Sequence, residues 1–171
     1  MSIPPPCAAT GPAIRVDPGL KPESRNQAHE IPVRLFEASR SLPGVRSAAL
    51  TSYLPFGRSQ NAGVITIEGY TRAPGENPPV PGWNAIDPDY FRTLGIPLLR
   101  GRAFAESDAG GAPLVAIIDR FLARKYWPNS DPIGAKIRRG IEEKDPLVTV
   151  VGVVGSVKVS DLADRNPVGQ I

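Results

Sequence analysis

Proline and glycine punctuate this sequence so often that long uninterrupted helices are not expected. There are 20 Pro and 17 Gly in 171 residues, above the ordinary usage of about 5% and 7%. Proline fixes φ and lacks an amide donor, and glycine tolerates left-handed backbone, so each is a candidate stop for a helix or turn between strands. The material between the stops is ordinary: 41% hydrophobic and 22% charged. A chain of this length suits one domain or two intimate subdomains and on folding removes roughly 70% of its unfolded surface from water. The expected class is α+β with mixed sheets: a strand-helix-strand piece followed by a larger, strand-rich subdomain.

Residues 1–12, rich in Pro and Ala and holding the single Cys7, read as a flexible tail, and Ala13 to Asp17 alternates like a first strand. Ala28, Ile31, Leu35, Ala38 and Leu42 recur at steps of three and four, which places them on one stripe of a helix ending at Pro43-Gly44. Pro32 inside that pattern costs on the order of 3 kcal/mol in a helix interior. A kink near residues 28–32, or a helix start near Pro32, is therefore expected. Val45 to Tyr53 has the β-branched, alternating character of a strand. At Leu54 the character changes, and the apolar loop Tyr53, Leu54, Pro55 and Phe56 is a candidate contact surface. The domain reading is thus a tail over 1–12, a strand-helix-strand part over 13–56, a strand-rich subdomain over 57–160 and a return segment over 161–171.

Within the second part, 63–69 reads as a strand, 72–82 as a Pro/Gly loop and Trp83-Asn84-Ala85-Ile86 as another strand. Asp87-Pro88-Asp89-Tyr90-Phe91-Arg92-Thr93-Leu94-Gly95 spells a short helix: Asp87 as the cap, Pro88 at the first helical position and Gly95 as the left-handed stop, with Tyr90, Phe91 and Leu94 on one face. Pro97 to Arg100 continues as a strand, and Glu106 and Asp108 read as a solvated turn. The apolar run Leu114 to Ile118 reads as a strand covered on both faces. Asp119 then caps a helix with Phe121, Leu122 and Tyr126 inward, ended by Pro128. Asp131-Pro132-Ile133-Gly134 has type I turn chemistry. Residues 135–139 and 147–157 form two hairpin arms, in which Gly152 and Gly155 mark a bulge or close backbone approach. Ser160 to Asp164 reads as a brief helical turn.

The chemistry-bearing residues do not assemble into a site. A net charge of +3 with basic residues scattered among acids makes a poor case for nucleic acid, and Lys136, Arg138 and Arg139 followed by Glu142, Glu143 and Asp145 read as a mixed hairpin surface. One cysteine excludes an internal disulfide or cysteine-based zinc cluster, and the only histidine, His29, has no partners beyond Glu30 and reads as a solvated helix residue. Neither G-x-G-x-x-G, G-x-x-x-x-G-K-[ST] nor G-x-S-x-G occurs. No catalytic, cofactor-binding or metal-ligating residue is therefore assigned. Tyr126, Trp127 and Trp83 read as core or seam anchors, and no run reaches the roughly 18 apolar residues of a membrane span. Read from residues alone, a free-standing hydrolase or a secreted ligand-binding module stays open as an alternative.

The stretch Asp87 to Phe104 resembles the extracytoplasmic domain of MacB-like and FtsX-like ABC transporter permeases. Leu42-Pro43-Gly44-Val45, Val115 to Pro128, Asp131-Pro132-Ile133-Gly134 and Val150 to Lys158 agree with that family in order, over roughly residues 14–171. The resemblance implies that 13–56 is the porter-like part, that the domain is non-catalytic and that it lies on the periplasmic face of the bacterial inner membrane. It implies as partners the transmembrane helices of its own permease, a second permease copy and a separate cytoplasmic ATPase subunit, with a periplasmic adaptor as a further candidate. The family continues past this point with another strand-helix-strand unit, so Ile171 reads as an early end, with apolar runs of about 20 residues expected on the flanks. The implied role is mechanical: movement of the helices is passed to a substrate outside the membrane.

Overall fold

The computed structural model describes residues 25–53, 61–109 and 111–155. The readings at 1–17, 54–57 and 156–171, Cys7 and the 160–164 turn among them, lie outside these residues. The elements run α1 (Arg25–Arg40), β1 (Asn61–Ala62), β2 (Thr66–Ile67), β3 (Gly82–Trp83), α2 (Tyr90–Thr93), β4 (Leu98–Gly101), a 3-10 turn (Glu106–Asp108), β5 (Val115–Asp119), α3 (Arg120–Tyr126), β6 (Lys136–Arg138) and β7 (Leu147–Val154). This is the mixed α and β architecture expected from the pattern, with every element but α1 and β7 short.

β7 organises the sheet. β5 lies parallel along Thr149–Val154, so it occupies one edge; β6, against Leu147–Thr149, and β4, against Gly152–Val154, share the other in antiparallel register. β2 extends the sheet beyond β6 by pairing Thr66 with Arg138 and Ile67 with Ile137. α3 covers one face. Ile65, Ile67, Ala116, Ile118, Leu122, Tyr126, Ile137, Val148, Val150 and Val153 form the core there, and Ile118, Ile137 and Val150 are fully buried. Ile117, Val154 and Asp119 are buried as well. The apolar run of β5 is thus the doubly covered strand its composition predicts.

Asp119 caps α3 as expected: its extended backbone leaves Oδ1 to accept from the Leu122 amide at 2.8 Å. The bulge expected at Gly152 is present, with the β5 register shifting between Ala116 and Ile117. A Cβ at Gly152 would sit 2.4 Å from the Arg102 carbonyl oxygen, so only glycine lets β4 approach this closely. The turn after Asp131 lies one residue later than expected. The Ala135 amide donates to the Pro132 carbonyl at 3.0 Å, and Gly134 takes φ +86° at the third position, while Asp131 Oδ1 accepts from the Ile133 amide at 3.1 Å. A left-handed glycine there closes the turn without a Cβ clash. Ile133 packs against the core.

α2 ends as expected and begins otherwise. Gly95, at φ +65°, donates to Arg92 O at 3.1 Å while the Ile96 amide reaches Phe91 O at 2.8 Å, the paired bonds of a Schellman stop. Asp87 makes no short side-chain cap bond, although the Asp89 and Tyr90 amides of the first turn still pull on its carboxyl. Its backbone carbonyl accepts from the Tyr90 amide at 3.2 Å, whereas its Oδ1 is buried and unpaired. Residue 89, not 87, flanks the first helical residue, and it too makes no side-chain cap.

Two expectations in the first part are corrected. α1 runs through Pro32 from Arg25, so of the two alternatives at Pro32, a kink or a helix start, the start does not occur. Its exit is as read, with the Val45 amide donating to Leu42 O at 3.2 Å and Gly44 at φ +86°. The described part of the apolar stripe faces outward: Leu35 is 48% and Leu42 58% exposed, and Ala38 is exposed too, while Val33, Phe36 and Ser39 are half-buried. Amphipathic spacing identifies an apolar face, but none of the described elements covers it. Val45 to Tyr53 forms no strand; it pairs through one bridge, Thr51 with Ile86. A strand exists only where a neighbour completes its ladder, and among the described residues, 84–87 pair with it through that bridge alone.

Candidate functional site: the crossing of residues 50–53 and 84–87

The segment that leaves α1 and the segment that leads from β3 to α2 meet antiparallel, and the contacts are polar. The Ser52 amide donates to Ala85 O at 2.8 Å, and the Asp87 amide donates to Leu50 O at 3.1 Å. The Ser52 hydroxyl adds a second donor to Ala85 O at 3.0 Å. Pairing would lapse at Tyr53, but the Asn84 side chain takes it over: Oδ1 accepts from the Tyr53 amide and Nδ2 donates to the Tyr53 carbonyl, both at 3.1 Å. The Thr51 hydroxyl lies 2.8 Å from Tyr53 O and 2.9 Å from Asn84 Oδ1. With one proton, it donates to one of them at a time.

α2 seals this crossing from one side. Tyr90 is buried, and desolvation raises its phenol pKa, while hydrogen bonds to Thr51 and Asn84 pull it back. An ionic link reaches across from α1: Asp89 meets Arg40 at 3.5 Å and Arg92 at 2.9 Å. Asp87 lies at the same place with its carboxyl raised above 3.8, mostly by burial, and further by Asp89, against the pull of the Leu50, Asp89 and Tyr90 amides.

Of the expected contact surface, Tyr53 is half-buried and held by Asn84; Leu54, Pro55 and Phe56 lie outside the described residues. Trp83, Tyr126 and Trp127 pack in or against the core, and the Arg139 guanidinium stacks 4.5 Å over the Trp83 ring. Lys136, Arg138 and Arg139 do not form a basic patch. Arg138 donates to the carbonyls of Glu143 and Asp145 and meets Glu68 at 3.6 Å, which makes a mixed hairpin surface. Glu106 and Asp108 form the 3-10 turn, and Asp108 is bound there by Arg102 at 2.7 Å. His29 lies in α1. Among the described residues, no three His, Cys, Asp or Glu side chains converge as a metal site would require.

Sequence reading missed Asn84 and Tyr70. Asn84 was signalled only as one amide in a strand-like apolar run. Tyr70 closes the 72–82 loop, its hydroxyl donating to Glu76 at 2.8 Å while its ring stands edge-on to Tyr126 at 5.1 Å.

Comparison with known proteins bears on what such an arrangement serves. The family described as the MacB-like periplasmic core domain matches residues 8–167. Among solved structures, the periplasmic region of MacB from Actinobacillus actinomycetemcomitans is similar at TM-score 0.54 and 16% identity, over 75% of this chain and 52% of that one. A domain of a putative permease protein from Porphyromonas gingivalis is similar at TM-score 0.49 and 18% identity, over 76% and 47%. The extracellular domain of the noncanonic ABC-type transporter YknZ from Gram-positive bacteria gives 0.48 and 16%, over 79% and 57%. The chain thus spans about half the length of the structures it matches. No match was found among curated proteins.

Proposed function

Since the chain belongs to the MacB-like periplasmic core domain family, and so is an extracytoplasmic part of an ABC transporter permease, we propose that its work is mechanical and that the crossing of 50–53 with 84–87 transmits the force. The observation that carries this reading is the Asn84 clasp on Tyr53. It fixes the segment leaving α1 to the segment entering α2, so a displacement of α1 is passed to the strand-rich body. The ionic link from Arg40 to Asp89 supports the same path.

The division of labour follows the sequence: residues 13–56 move with the membrane helices and 57–160 act as the stiff body. Stiffness comes from the sheet around β7 and its fully buried Ile118, Ile137 and Val150. ATP hydrolysis belongs to a separate cytoplasmic ATPase, and two permease copies bring two such bodies together outside the membrane. Coupling of this kind needs differential contacts in two states, and the crossing offers contacts that can be made or released.

The test is Asn84→Ala in the intact transporter. The expected result is ATP hydrolysis retained and transport reduced, because the motor turns while the body no longer follows. Unchanged transport by a variant whose crossing amides exchange faster would overturn the reading.

A further inference from the structure

One group in the crossing is left in a costly state. Asp87 Oδ1 is buried without a hydrogen-bond partner, while the amide of the same residue holds Leu50 O at 3.1 Å. A buried carboxylate oxygen without a partner penalises the charged form, and here burial outweighs the opposing pull of the Leu50, Asp89 and Tyr90 amides on the carboxyl. We propose that Asp87 is a proton-operated latch: neutral, it lets residues 50–53 and 84–87 close; ionised, it loosens them.

The surroundings set the direction. Asp89 is the charged neighbour that disfavours the Asp87 carboxylate, and its own charge is shared by Arg40 from α1 and Arg92 from α2. Tyr90 is a further titratable group at the site and is engaged with Thr51 and Asn84. The facing segment 47–52 is Ser-Ala-Ala-Leu-Thr-Ser, and its titratable neighbours are Arg46 before it and Tyr53, held by Asn84, after it. Among the described residues, no cation is found to act on Asp87 and offset its burial. The raised carboxyl pKa agrees with this geometry, burial being the larger cause.

The sign follows from proton binding. Between 3.8 and the raised folded value, the closed crossing holds a proton that the open one releases. The closed form is therefore fully favoured below 3.8 and loses that advantage as pH rises through the folded value. A permease domain outside the inner membrane meets the pH of its surroundings, so acidification would tighten the coupling element and alkalinisation would slacken it.

This deepens the coupling reading and rests on it for its consequence, but the test uses the 171-residue chain alone. The Asp87 carboxyl is titrated by carbon-13 NMR, and protection factors of the Ser52 and Asp87 amides are followed by hydrogen exchange over the same range. The expected result is a titration above 3.8, with protection falling on ionisation by about tenfold for each pH unit of that elevation. Asp87→Asn should hold the protected state at every pH, and Asp87→Ala should also remove the pH response. A titration at or below 3.8, or a pH response that persists in both variants, overturns the latch. Neither outcome touches the transport test of Asn84→Ala, so failure of the latch and failure of the coupling reading are distinguishable.

Discussion

Asn84 gives Tyr53 both hydrogen bonds that a neighbouring strand would supply, accepting from its amide and donating to its carbonyl at 3.1 Å each. A side-chain amide has one donor face and one acceptor face at fixed separation, which is the pattern of a peptide group. It therefore extends the pairing begun at Thr51 and Ile86 by one residue, at a point where the chain departs from its neighbour.

Asn84→Ala leaves the Tyr53 amide with only the Thr51 hydroxyl, at 3.4 Å. Losing a partner for a half-buried amide costs about 1–3 kcal/mol, and the expected result is a urea midpoint lowered to match. Asn84→Asp keeps the acceptor but turns a second oxygen toward the Tyr53 carbonyl, so it should not restore stability at neutral pH. Faster exchange of the Tyr53 amide in both variants is the local readout; an unchanged rate would show that the clasp does not hold the crossing.

At Gly152, the expected outcome of a methyl group is steric. A Cβ there meets the Arg102 carbonyl oxygen at 2.4 Å and Ile117 Cγ1 at 3.2 Å. Ile117 lies in β5, and Arg102, just past β4, is tied to β7 by its amide on Val151 O at 2.9 Å, so neither can withdraw freely. Gly152→Ala should lower stability by about 1–3 kcal/mol or more, measured by thermal or chemical denaturation. Gly155→Ala, which meets only Pro97 ring carbons at 3.2 and 3.3 Å and Ile96 Cγ2 at 3.9 Å, should cost less.

What was legible in the sequence was what short-range pattern controls. The β5 run, the Asp119 cap, the β6–β7 hairpin and the Gly152 bulge all follow from neighbouring residue types, and they form the body of the fold. The stop at Gly95 was readable for the same reason. What failed depends on distant partners. Asn84 and Tyr53 lie 31 residues apart, and nothing in either segment names the other. The Asp87 carboxylate, expected to bond the first-turn amides, feels only a pull from Asp89 and Tyr90: the backbone carbonyl of the same residue takes the Tyr90 amide, and burial in the crossing leaves Oδ1 unpaired. Val45 to Tyr53 has strand composition without a strand's neighbours, since composition cannot create the second strand of a ladder.

The outward stripe of α1 predicts an asymmetry between two apolar truncations. Ile118 is fully buried under α3, and Ile118→Ala should cost about 2–5 kcal/mol. Leu35 is half-exposed, and Leu35→Ala in the isolated chain should fall within about 0.5 kcal/mol of the parent. A loss at Leu35 comparable to that at Ile118, measured by urea denaturation, would mean that α1 is packed in solution against a surface of this chain.

The loop after β4 carries an ion pair with a defined pH signature. Arg102 grips Asp108 with both guanidinium nitrogens, Nη1 to Oδ2 at 2.7 Å and Nη2 to Oδ1 at 2.8 Å, and the Ala105 amide adds a bond to Oδ2 at 2.8 Å. The guanidinium first and the amide second pull the Asp108 carboxyl from 3.8 to about 2. A lowered folded pKa means that the unfolded chain binds the proton more readily, so the contribution is whole above 3.8 and disappears as pH falls through about 2. Solvent exposure of the pair keeps that contribution small. Asp108→Asn should therefore differ from the parent at neutral pH and converge with it below about 2, in urea midpoints taken across that range. Parallel curves, with the same gap at both ends, would show that the loop is held by packing and not by this charge.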